Sequence, residues 1–293
     1  MKPIVSHLRA RLPFAASGSS SDNPPAGSIV EPGVEVLPGY RVVGLLTHGR
    51  RMDTYDAYDL DRDCRVIVKV LRPDRRHEKR VRRAVLTEGE IVTTLSHPHL
   101  VRGYAAFADP PAVVLETLTG ATLAALLEED ELAPPDAAQL GLHLVSALGY
   151  LHRHGWLHLD VKPANVVVRH GIAILIDLSL ANRFGKGRPG AGTRGYLAPE
   201  QARGTGLAPA TDVWGLGITL IEALTGDLPY GEEATWDTGR RVPLVPRRVP
   251  SRPRRMPTGL SPEFDQLLRA CIAIDPADRP TLADARAVLT SEL

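Results

Sequence analysis

The alternation of hydrophobic and polar positions changes character near residue 120. Between residues 40 and 116 the chain consists mainly of short runs rich in β-branched residues, which predict the strands of an antiparallel sheet. One stretch in this part instead has apolar residues at helical spacing, and it predicts a helix over Val81–Leu95. The predicted strands are Tyr40–Leu46, Thr54–Tyr58, Arg65–Leu71, Val101–Ala106 and Ala112–Glu116.

The second part of the chain has a helical pattern. Leucines recur on one stripe over Leu140–Leu151, and the apolar segment Asp212–Leu224 stops shortly before Gly226, a residue that favours a helix C-cap. The segment Ser261–Ile274 begins with an N-cap residue, and so does the last predicted helix at Thr281. A β-rich part followed by a helical part indicates an α+β fold with two lobes: a small antiparallel β-sheet lobe with one helix, and a larger, mainly α-helical lobe.

Composition narrows the classes of function. The chain has 293 residues, of which 43% are hydrophobic and 24% charged, as in an ordinary globular protein. The net charge is +1, so we expect no nucleic-acid partner. No apolar stretch reaches the roughly 18 residues that a membrane span needs. The 2 cysteines form no CxxC cluster and the N-terminus has no secretory pattern, so we expect a cytoplasmic protein.

Residues 1–38 are predicted to be a flexible leader. From residue 14 onward this segment is rich in Ser, Gly and Pro and has no sustained apolar period, so it cannot bury enough surface to offset the entropy lost on ordering. The remainder, 39–293, is predicted to form one domain, with an N-lobe over about 39–116 and a C-lobe over about 119–293.

The stretch from His158 to Asn165, HLDVKPAN, has the most informative chemistry. It supplies a carboxylate at Asp160, an ammonium at Lys162 and an amide at Asn165, and a second carboxylate follows at Asp177. Phosphoryl transfer requires a base that orients a hydroxyl, a cation near the moving phosphoryl group and oxygen ligands for Mg²⁺. Each residue taken alone favours a solvated loop, but their joint spacing favours the functional interpretation.

Several motifs resemble those of eukaryotic-like (Hanks-type) serine/threonine protein kinases. HLDVKPAN is similar to the catalytic loop, and Asp177-Leu178-Ser179 occupies the place of the DFG motif. Ala198-Pro199-Glu200 matches the APE motif, and the preceding GTRGYL, which includes Thr193, resembles the segment before it. Arg279 matches the arginine that pairs with the APE glutamate. The motifs follow the family's order over about 39–293, and the abundance of Arg, Ala, Leu and Pro is typical of a bacterial genome rich in GC.

The resemblance implies a bilobal kinase fold, ATP and Mg²⁺ as cofactors, and serine or threonine hydroxyls of a protein substrate as acceptors. By this resemblance, Asp160 orients the hydroxyl and accepts its proton, while Lys162 offsets charge on the transferring group. Asn165 and Asp177 are the implied ligands of Mg²⁺.

The resemblance also implies a nucleotide site in the N-lobe. Lys69, in the run VIVK, matches the lysine that holds the α- and β-phosphates, and Glu88 on the predicted helix is its expected partner. The other implied nucleotide contacts are Leu46, Gly49, Thr54, Ile67, Glu116, Leu118 and Val167.

One segment and two single residues depart from the family pattern near the nucleotide. The segment Thr47–Thr54 stands in register with GxGxxGxV but keeps only Gly49, Ile67 replaces an alanine that faces adenine, and Ser179 replaces the DFG glycine. These departures favour a first alternative, a pseudokinase scaffold with weak or no catalysis. A second alternative is a small-molecule kinase of the aminoglycoside or choline type, against which the APE motif and Arg279 argue.

The segment after the DFG position lacks the usual elements of phosphorylation control. Leu159 replaces the arginine that receives a phosphate, and no hydroxyl residue lies between Ser179 and Thr193. We therefore expect activity that does not depend on phosphorylation there.

The segment Arg240–Arg255 contains seven arginines, four prolines and no acid. The non-functional interpretation of this segment is a solvated surface loop, and the functional hypothesis is a dock for an acidic partner.

Overall fold

In the computed structural model the described residues are 29–230, 253 and 255–293. Most of the predicted leader and nearly all of Arg240–Arg255 lie outside these residues. A six-stranded antiparallel sheet, with the strand order β1-β2-β3-β4-β6-β5, forms the N-lobe. Its strands are β1 (Glu35–Leu37), β2 (Tyr40–His48), β3 (Met52–Asp59), β4 (Cys64–Leu71), β5 (Gly103–Ala108) and β6 (Pro111–Glu116).

The first strand lies inside the segment that the sequence pattern assigned to the leader. Strand β1 pairs with β2, and the Leu37 side chain is buried in the N-lobe core beside Tyr40. The Val30 N–H donates a hydrogen bond to the hydroxyl of Tyr55 at 3.0 Å. The boundary at residue 39 was therefore too late. The signal was weak because β1 is only three residues long and is flanked by glycine and proline.

The predicted strand Val101–Ala106 was displaced by two residues. Leu100 and Val101 are buried, but they pair with Leu175 in the C-lobe, and the Val101 N–H donates to the Leu175 carbonyl at 3.0 Å. Strand β5 begins only at Gly103. The apolar run therefore has two partners: its first residues pair with Leu175 in the C-lobe, and its later residues form β5 in the N-lobe sheet. The hydrophobic periodicity alone does not show where one pairing ends and the other begins.

Helix α1 (Lys79–Thr94) packs across the sheet and confirms the predicted helix within two residues. Its apolar face includes Val85 and Ile91, both buried. At Gly89 a Cβ atom would lie 2.7 Å from the Cβ of Ala106 on β5, so the helix can approach the sheet this closely only with glycine at that position. This close approach brings the adjacent Glu88 toward β4.

The C-lobe is built from helices around a continuous apolar core, and its predicted caps are confirmed. Ser261 accepts a hydrogen bond from the Phe264 N–H at 3.1 Å, Thr281 and Asp284 form a reciprocal capping box, and Gly226 ends its helix at a φ of 69°. The helices are α2 (Leu123–Leu127), α3 (Pro134–Arg153), α4 (Pro199–Arg203), α5 (Pro209–Thr225), α6 (Pro262–Cys271) and α7 (Leu282–Ser291).

Helix α6 is shorter than the predicted segment through Ile274. Its last helical residue is Cys271, and a 3₁₀ turn begins at Pro276 after Asp275 has capped it. Pro276 sets only an outer limit, because the residue before a proline avoids helical angles, and the chain already leaves the helix at Ile272, whose φ is −100° and ψ 22°. Ile272 still packs into the core, which explains its apolar character outside the helix.

Short strands in the C-lobe place the loops that carry the polar motifs. They form a three-stranded sheet in the order β10-β9-β7 and a pair β11-β8. Among the described residues, no helix is both long and apolar enough to cross a membrane. The strands are β7 (Ala121–Thr122), β8 (Trp156–Leu157), β9 (Val166–Arg169), β10 (Ile172–Leu175) and β11 (Asn182–Arg183).

Candidate functional site

Lys69 on β4 makes ion pairs with two carboxylates from distant parts of the chain. Its Nζ lies 2.7 Å from Oε1 of Glu88 on α1 and 2.8 Å from Oδ1 of Asp177, which follows β10. The contact between Lys69 and Glu88 confirms the predicted pair. A lysine with two fixed carboxylate partners has a defined orientation, whereas a surface lysine would not.

The electrostatics of this triad keep the lysine charged. Burial alone would lower the pKa of Lys69, but the charges of Asp177 and Glu88 outweigh it and raise the pKa above its ordinary value. Burial would raise the pKa of Asp177, and the neighbouring Lys69 lowers it instead. For Glu88 burial dominates and raises the pKa against the opposing effect of Lys69. The triad therefore presents a permanent ammonium and, at Asp177, a permanent carboxylate.

Asp177 is held by the backbone around it. Its φ of 64° is in the left-handed region, which is unusual for a residue other than glycine. The Ile176 N–H donates to the carbonyl of Asn165 at 2.8 Å, and Nε2 of His158 lies 3.1 Å from the Ile176 carbonyl. Leu178 is buried in the core that extends between the lobes. These contacts fix Asp177 beside the loop that carries Asp160.

Asp160, Lys162 and Asn165 lie together, as their spacing predicted. The amide Nδ2 of Asn165 donates to both the backbone carbonyl and Oδ2 of Asp160, each at 2.9 Å. Nζ of Lys162 is 2.8 Å from the same Oδ2, and the Thr193 N–H donates to Oδ1 at 3.0 Å. Lys162 also donates to the hydroxyl of Thr193 at 2.5 Å. Both oxygens of the Asp160 carboxylate therefore have fixed orientations.

The loop is supported by Asp212, whose structural role the sequence analysis missed. Its carboxylate accepts the His158 N–H at 2.9 Å and the Leu159 N–H at 2.8 Å, and Nε2 of His152 lies 2.8 Å away. Burial opposes ionisation of Asp212, but the contact with His152 prevails and lowers the pKa. Leu159 has a φ of 65°, so the loop is strained where Asp212 holds it. The available signal was an acid in the first turn of the very apolar α5.

Arg279 and Glu200 form the predicted pair. Nη1 and Nη2 of the guanidinium donate to the two carboxylate oxygens at 2.8 and 3.0 Å, and both side chains are buried. Arg279 also donates to backbone carbonyls of Ala210 and Ala273 at 2.8 and 2.9 Å. A buried bidentate pair with these extra bonds fixes the start of α4 against α5.

The implied adenine contacts are distributed over strands that border the two lobes. Ile67 and Leu118 are half-buried and pack against the same core, and Val167 on β9 is almost fully buried opposite Thr122. Oε1 of Glu116 accepts a hydrogen bond from the Arg102 N–H at 2.8 Å, and the Glu116 N–H donates to the Arg102 carbonyl at 2.9 Å, so these two residues hold each other at the end of β6.

The remaining implied nucleotide contacts lie on β2, on β3 and in the turn between them. Leu46 and Thr54 are half-buried on these strands, and Thr54 pairs directly with Lys69. The Gly49 N–H donates to the Met52 carbonyl at 2.9 Å, and a Cβ at this position would lie 2.8 Å from that oxygen. Glycine is therefore required for this turn.

Two side chains offer oxygen atoms suited to a hard cation. Both amide hydrogens of Asn165 are directed to Asp160, which leaves its Oδ1 for another partner. Lys69 and the Ser179 N–H contact Oδ1 of Asp177, which leaves Oδ2. One amide and one carboxylate oxygen are the ligand types that Mg²⁺ accepts, with water and phosphate oxygens completing its shell.

Comparison with known proteins gives the following matches. Residues 40–291 match the family described as "Protein kinase domain". Serine/threonine-protein kinase PknB of Mycobacterium leprae is 30% identical over 269 residues, which cover 85% of this chain and 42% of that protein. PknB of Mycobacterium tuberculosis is 31% identical over 270 residues, with the same coverages of 85% and 42%. The SNF1-related protein kinase catalytic subunit alpha KIN12 of Arabidopsis thaliana is 27% identical over 260 residues, covering 86% and 51%. The chain thus spans about half the length of these relatives.

Proposed function

This chain belongs to the protein kinase family, and we propose that it transfers the γ-phosphoryl group of Mg-ATP to serine or threonine hydroxyls of a protein substrate. One observation carries this proposal. Glu88 and Asp177 come from two segments remote from Lys69 in the chain, and each places a carboxylate oxygen within 2.8 Å of the Lys69 Nζ. Glu88 is buried, Lys69 nearly so and Asp177 partly exposed, and such a desolvated group of charges with perturbed pKa values is typical of a functional site. The names of the bacterial relatives support the choice of serine and threonine.

Asp160 is the proposed group that orients the acceptor hydroxyl and takes its proton. Its carboxylate is held on one oxygen by Asn165 and Lys162 and on the other by the Thr193 backbone. A base with a fixed orientation removes the entropy cost of alignment in the transition state. Lys162 is the proposed cation that offsets charge on the transferring phosphoryl group.

Mg²⁺ is the proposed metal, with Asn165 and Asp177 as its protein ligands. When bound, the ion would neutralise phosphate charge and orient the triphosphate. Lys69 is the proposed contact of the α- and β-phosphates, held by Glu88. Glu88 is one of the two carboxylates that orient Lys69, so replacement of Glu88 by glutamine should weaken phosphate binding.

We further propose that activity does not require phosphorylation of the activation segment, defined here as the residues between Asp177 and Glu200. Leu159, at the position of the family's phosphate-binding arginine, is buried in a small apolar cluster with Leu157 and Leu207. The side-chain amide of Gln201 donates to the carbonyls of Leu159 and Ala191, each at 2.6 Å. These contacts connect the catalytic loop to the segment without a phosphate.

Contacts of Thr193 and Glu200 favour a protein substrate over a small alcohol. Thr193 bonds directly to Asp160 and Lys162, and Glu200 is tied to Arg279 by two buried bonds. These interactions order a surface beside Asp160 on which an extended peptide could lie. A kinase of small alcohols would have no use for such a surface.

The decisive experiment compares phosphate transfer by the wild-type chain and the D160N variant. Purified protein is incubated with labelled ATP, Mg²⁺ and a generic basic protein, and the phosphorylated residue is identified. We expect transfer to serine or threonine that falls at least about 100-fold in D160N. The exposed Asp61 provides a matched control as D61N, which should retain full activity. Equal residual transfer in wild type and D160N would contradict the assignment and favour a pseudokinase.

Phosphorylation control is tested on the same preparation. Treatment with a broad-specificity phosphatase, followed by its removal, should leave the transfer rate unchanged. This part of the proposal would be refuted by two results together: the phosphatase abolishes activity, and a phosphomimetic substitution within the activation segment restores it. A parallel panel of small alcohols tests the alternative substrate class, and transfer to them in preference to protein would favour that class.

Two finer proposals concern partners and location. The composition of Arg240–Arg255 supports a dock for an acidic partner, which a multiple arginine-to-serine variant tests by phosphorylation of the native target. Unchanged phosphorylation would reject the dock.

The described cysteines, Cys64 and Cys271, are free, which supports a reducing, cytoplasmic environment. Fractionation of cells that express the native protein tests this location.

A further inference from the structure

The hairpin tip between β2 and β3 is braced by charged side chains outside the catalytic constellation. His48, the last residue of β2, faces Asp53 on β3 as its cross-strand partner, and its Nδ1 lies 2.6 Å from the Asp53 carboxylate. Only 1% of Asp53 is exposed, although it lies two residues from a solvated tip. A carboxylate buried this deeply is very costly unless a group of complementary charge lies close to it, and His48 lies at ion-pair distance.

Arg72 closes the cluster from the neighbouring strand. It directly follows β4 and is 2% exposed. Its Nη1 lies 3.0 Å from Nε2 of His48 and donates to the Gly49 carbonyl at 3.1 Å. Its Nε and Nη2 each donate to the carboxylate of Asp74 at 3.0 Å. The Arg72 backbone N–H donates to the Arg51 carbonyl at 3.0 Å, so the tip is bound from behind by both backbone and side chain.

The chemistry of the three partners defines the state of the imidazole. An arginine guanidinium is always a donor, so Nε2 of His48 accepts from Arg72, and Nδ1 is the ring nitrogen that faces the Asp53 carboxylate at 2.6 Å. His48 therefore lies between the buried Arg72 and the buried Asp53 and contacts both. Burial raises the pKa of Asp53, and the contacts with His48 and Arg72 oppose this rise.

We propose that His48, Asp53 and Arg72 form a positioning clamp that fixes the tip Gly49–Arg51 over the phosphates of the bound nucleotide. This inference rests on the proposed function. The family pattern has glycines in this loop, and the chain retains only Gly49. Arg72 lies three residues beyond Lys69 in the chain. The clamp therefore fixes the position of the tip relative to the Lys69 ammonium, the proposed contact of the phosphates. A loop already fixed in the free protein loses less conformational entropy when it binds a ligand.

The test compares two ligands that differ only in phosphates. The affinities of ADP with Mg²⁺ and of adenosine are measured by calorimetry for wild type and H48A. We expect H48A to bind ADP about tenfold more weakly, because the variant loses the contacts of His48 with Asp53 and Arg72. Its affinity for adenosine should equal that of wild type. The H48N variant keeps a donor for Asp53 but is too short to reach Arg72, and we expect a loss of about threefold. The exposed His77 supplies the matched control H77A, which should bind both ligands as wild type does.

A second measurement needs no nucleotide. Arg50 and Arg51 are exposed at the tip, so trypsin can report how often the loop opens. Cleavage after these residues, mapped by mass spectrometry in the free protein, should be faster in H48A than in wild type and H77A. Cleavage elsewhere in the N-lobe should not change if the sheet remains folded.

The outcomes separate the clamp from the proposed function. An equal loss of ADP and adenosine affinity in H48A would assign His48 to general support of the N-lobe and overturn the clamp. Unchanged ADP affinity together with unchanged cleavage would overturn it as well. If wild type binds no nucleotide, the proposed function fails, and the cleavage rates still decide whether His48 holds the tip.

Discussion

The hairpin tip at Gly49–Arg51 and the activation segment both lack residues that protein kinases commonly use there, and they are held in different ways. The tip is fixed by charged groups, with His48 between Asp53 and Arg72. The activation segment is held by neutral contacts: Gly185 pairs through its backbone with Leu207 of the leucine cluster, and the amide of Gln201 donates to the Ala191 carbonyl.

The difference follows from what each region must contact. The tip can keep the buried carboxylate of Asp53 because His48 and Arg72 lie beside it, whereas the apolar and neutral contacts of the activation segment need no counter-ion. Loss of a glycine pattern therefore does not by itself imply loss of function.

The largest effect is expected from restoring the family's arginine as L159R. The new guanidinium would enter the apolar cluster of Leu157 and Leu207 with no phosphate to pair with, and we expect a loss of about 3 kcal/mol or more in the free energy of unfolding. Urea unfolding of wild type and L159R measures this difference in the free energy of unfolding. The half-exposed Leu86 provides the control L86R, which should change stability by less than about 0.5 kcal/mol. Similar stability of L159R and L86R would show that the leucine cluster does not hold the segment.

Replacement of Gln201 by glutamate tests the amide contacts of the same region. The carboxylate would face two carbonyl oxygens that now accept hydrogen bonds, so the segment should detach from the catalytic loop. We expect kcat to fall about 30-fold while KM for ATP stays within about twofold. Tryptic cleavage after the exposed Lys186 and Arg194 should accelerate.

The exposed Gln266 provides the control Q266E, which introduces the same charge away from the segment. A parallel rise in KM for ATP in Q201E would contradict a role confined to the activation segment.

A pH experiment examines the strand that leads to Asp177. Nδ1 of His143 accepts the Ala173 N–H of β10 at 3.2 Å, and its ring stacks on His99 at 4.2 Å. Burial and His99 lower the pKa of His143 from 6.5 to about 4. Between these values the unfolded chain binds more protons than the folded chain, so stability falls as the pH falls from 6.5 toward 4.

We expect His143 to account for a loss of about 1–2 kcal/mol between pH 7 and pH 5. The H143N variant keeps an acceptor for Ala173 but does not titrate, so its stability should depend less steeply on pH. Chemical denaturation of both proteins at several pH values measures the difference. Identical pH profiles would exclude His143 as the source.

The smallest effect is expected at the exposed arginines of the tip. If the clamp positions the loop, Arg50 and Arg51 need not bind phosphate themselves, and R50A and R51A should each change ADP affinity by less than about threefold. Calorimetry under the conditions used for H48A gives a direct comparison. A loss in either variant as large as that in H48A would shift the role from the clamp to the tip side chains.

The helical and strand periods predicted most of the long elements, because each buries one continuous face. Helix α1 and its residue Glu88 were predicted from such a face. Strand β1 was missed because three residues carry too little pattern, and the strand at Val101 was displaced because its apolar run pairs with two different partners. Side chains that act through backbone contacts, such as Asp212 and Gln201, were not predicted in these roles.

By itself the sequence determined which chemical groups are present and in what order: the residue types and spacing of Asp160, Lys162, Asn165 and Asp177 were enough to indicate phosphoryl transfer. Only the tertiary structure decided how the departures from the family pattern are accommodated. His48 and Asp53 lie within two residues of the tip in the sequence, but Arg72, which contacts His48, directly follows the separate strand β4. Burial and hydrogen-bond direction depend on distances between segments remote in the chain, and no local pattern encodes them.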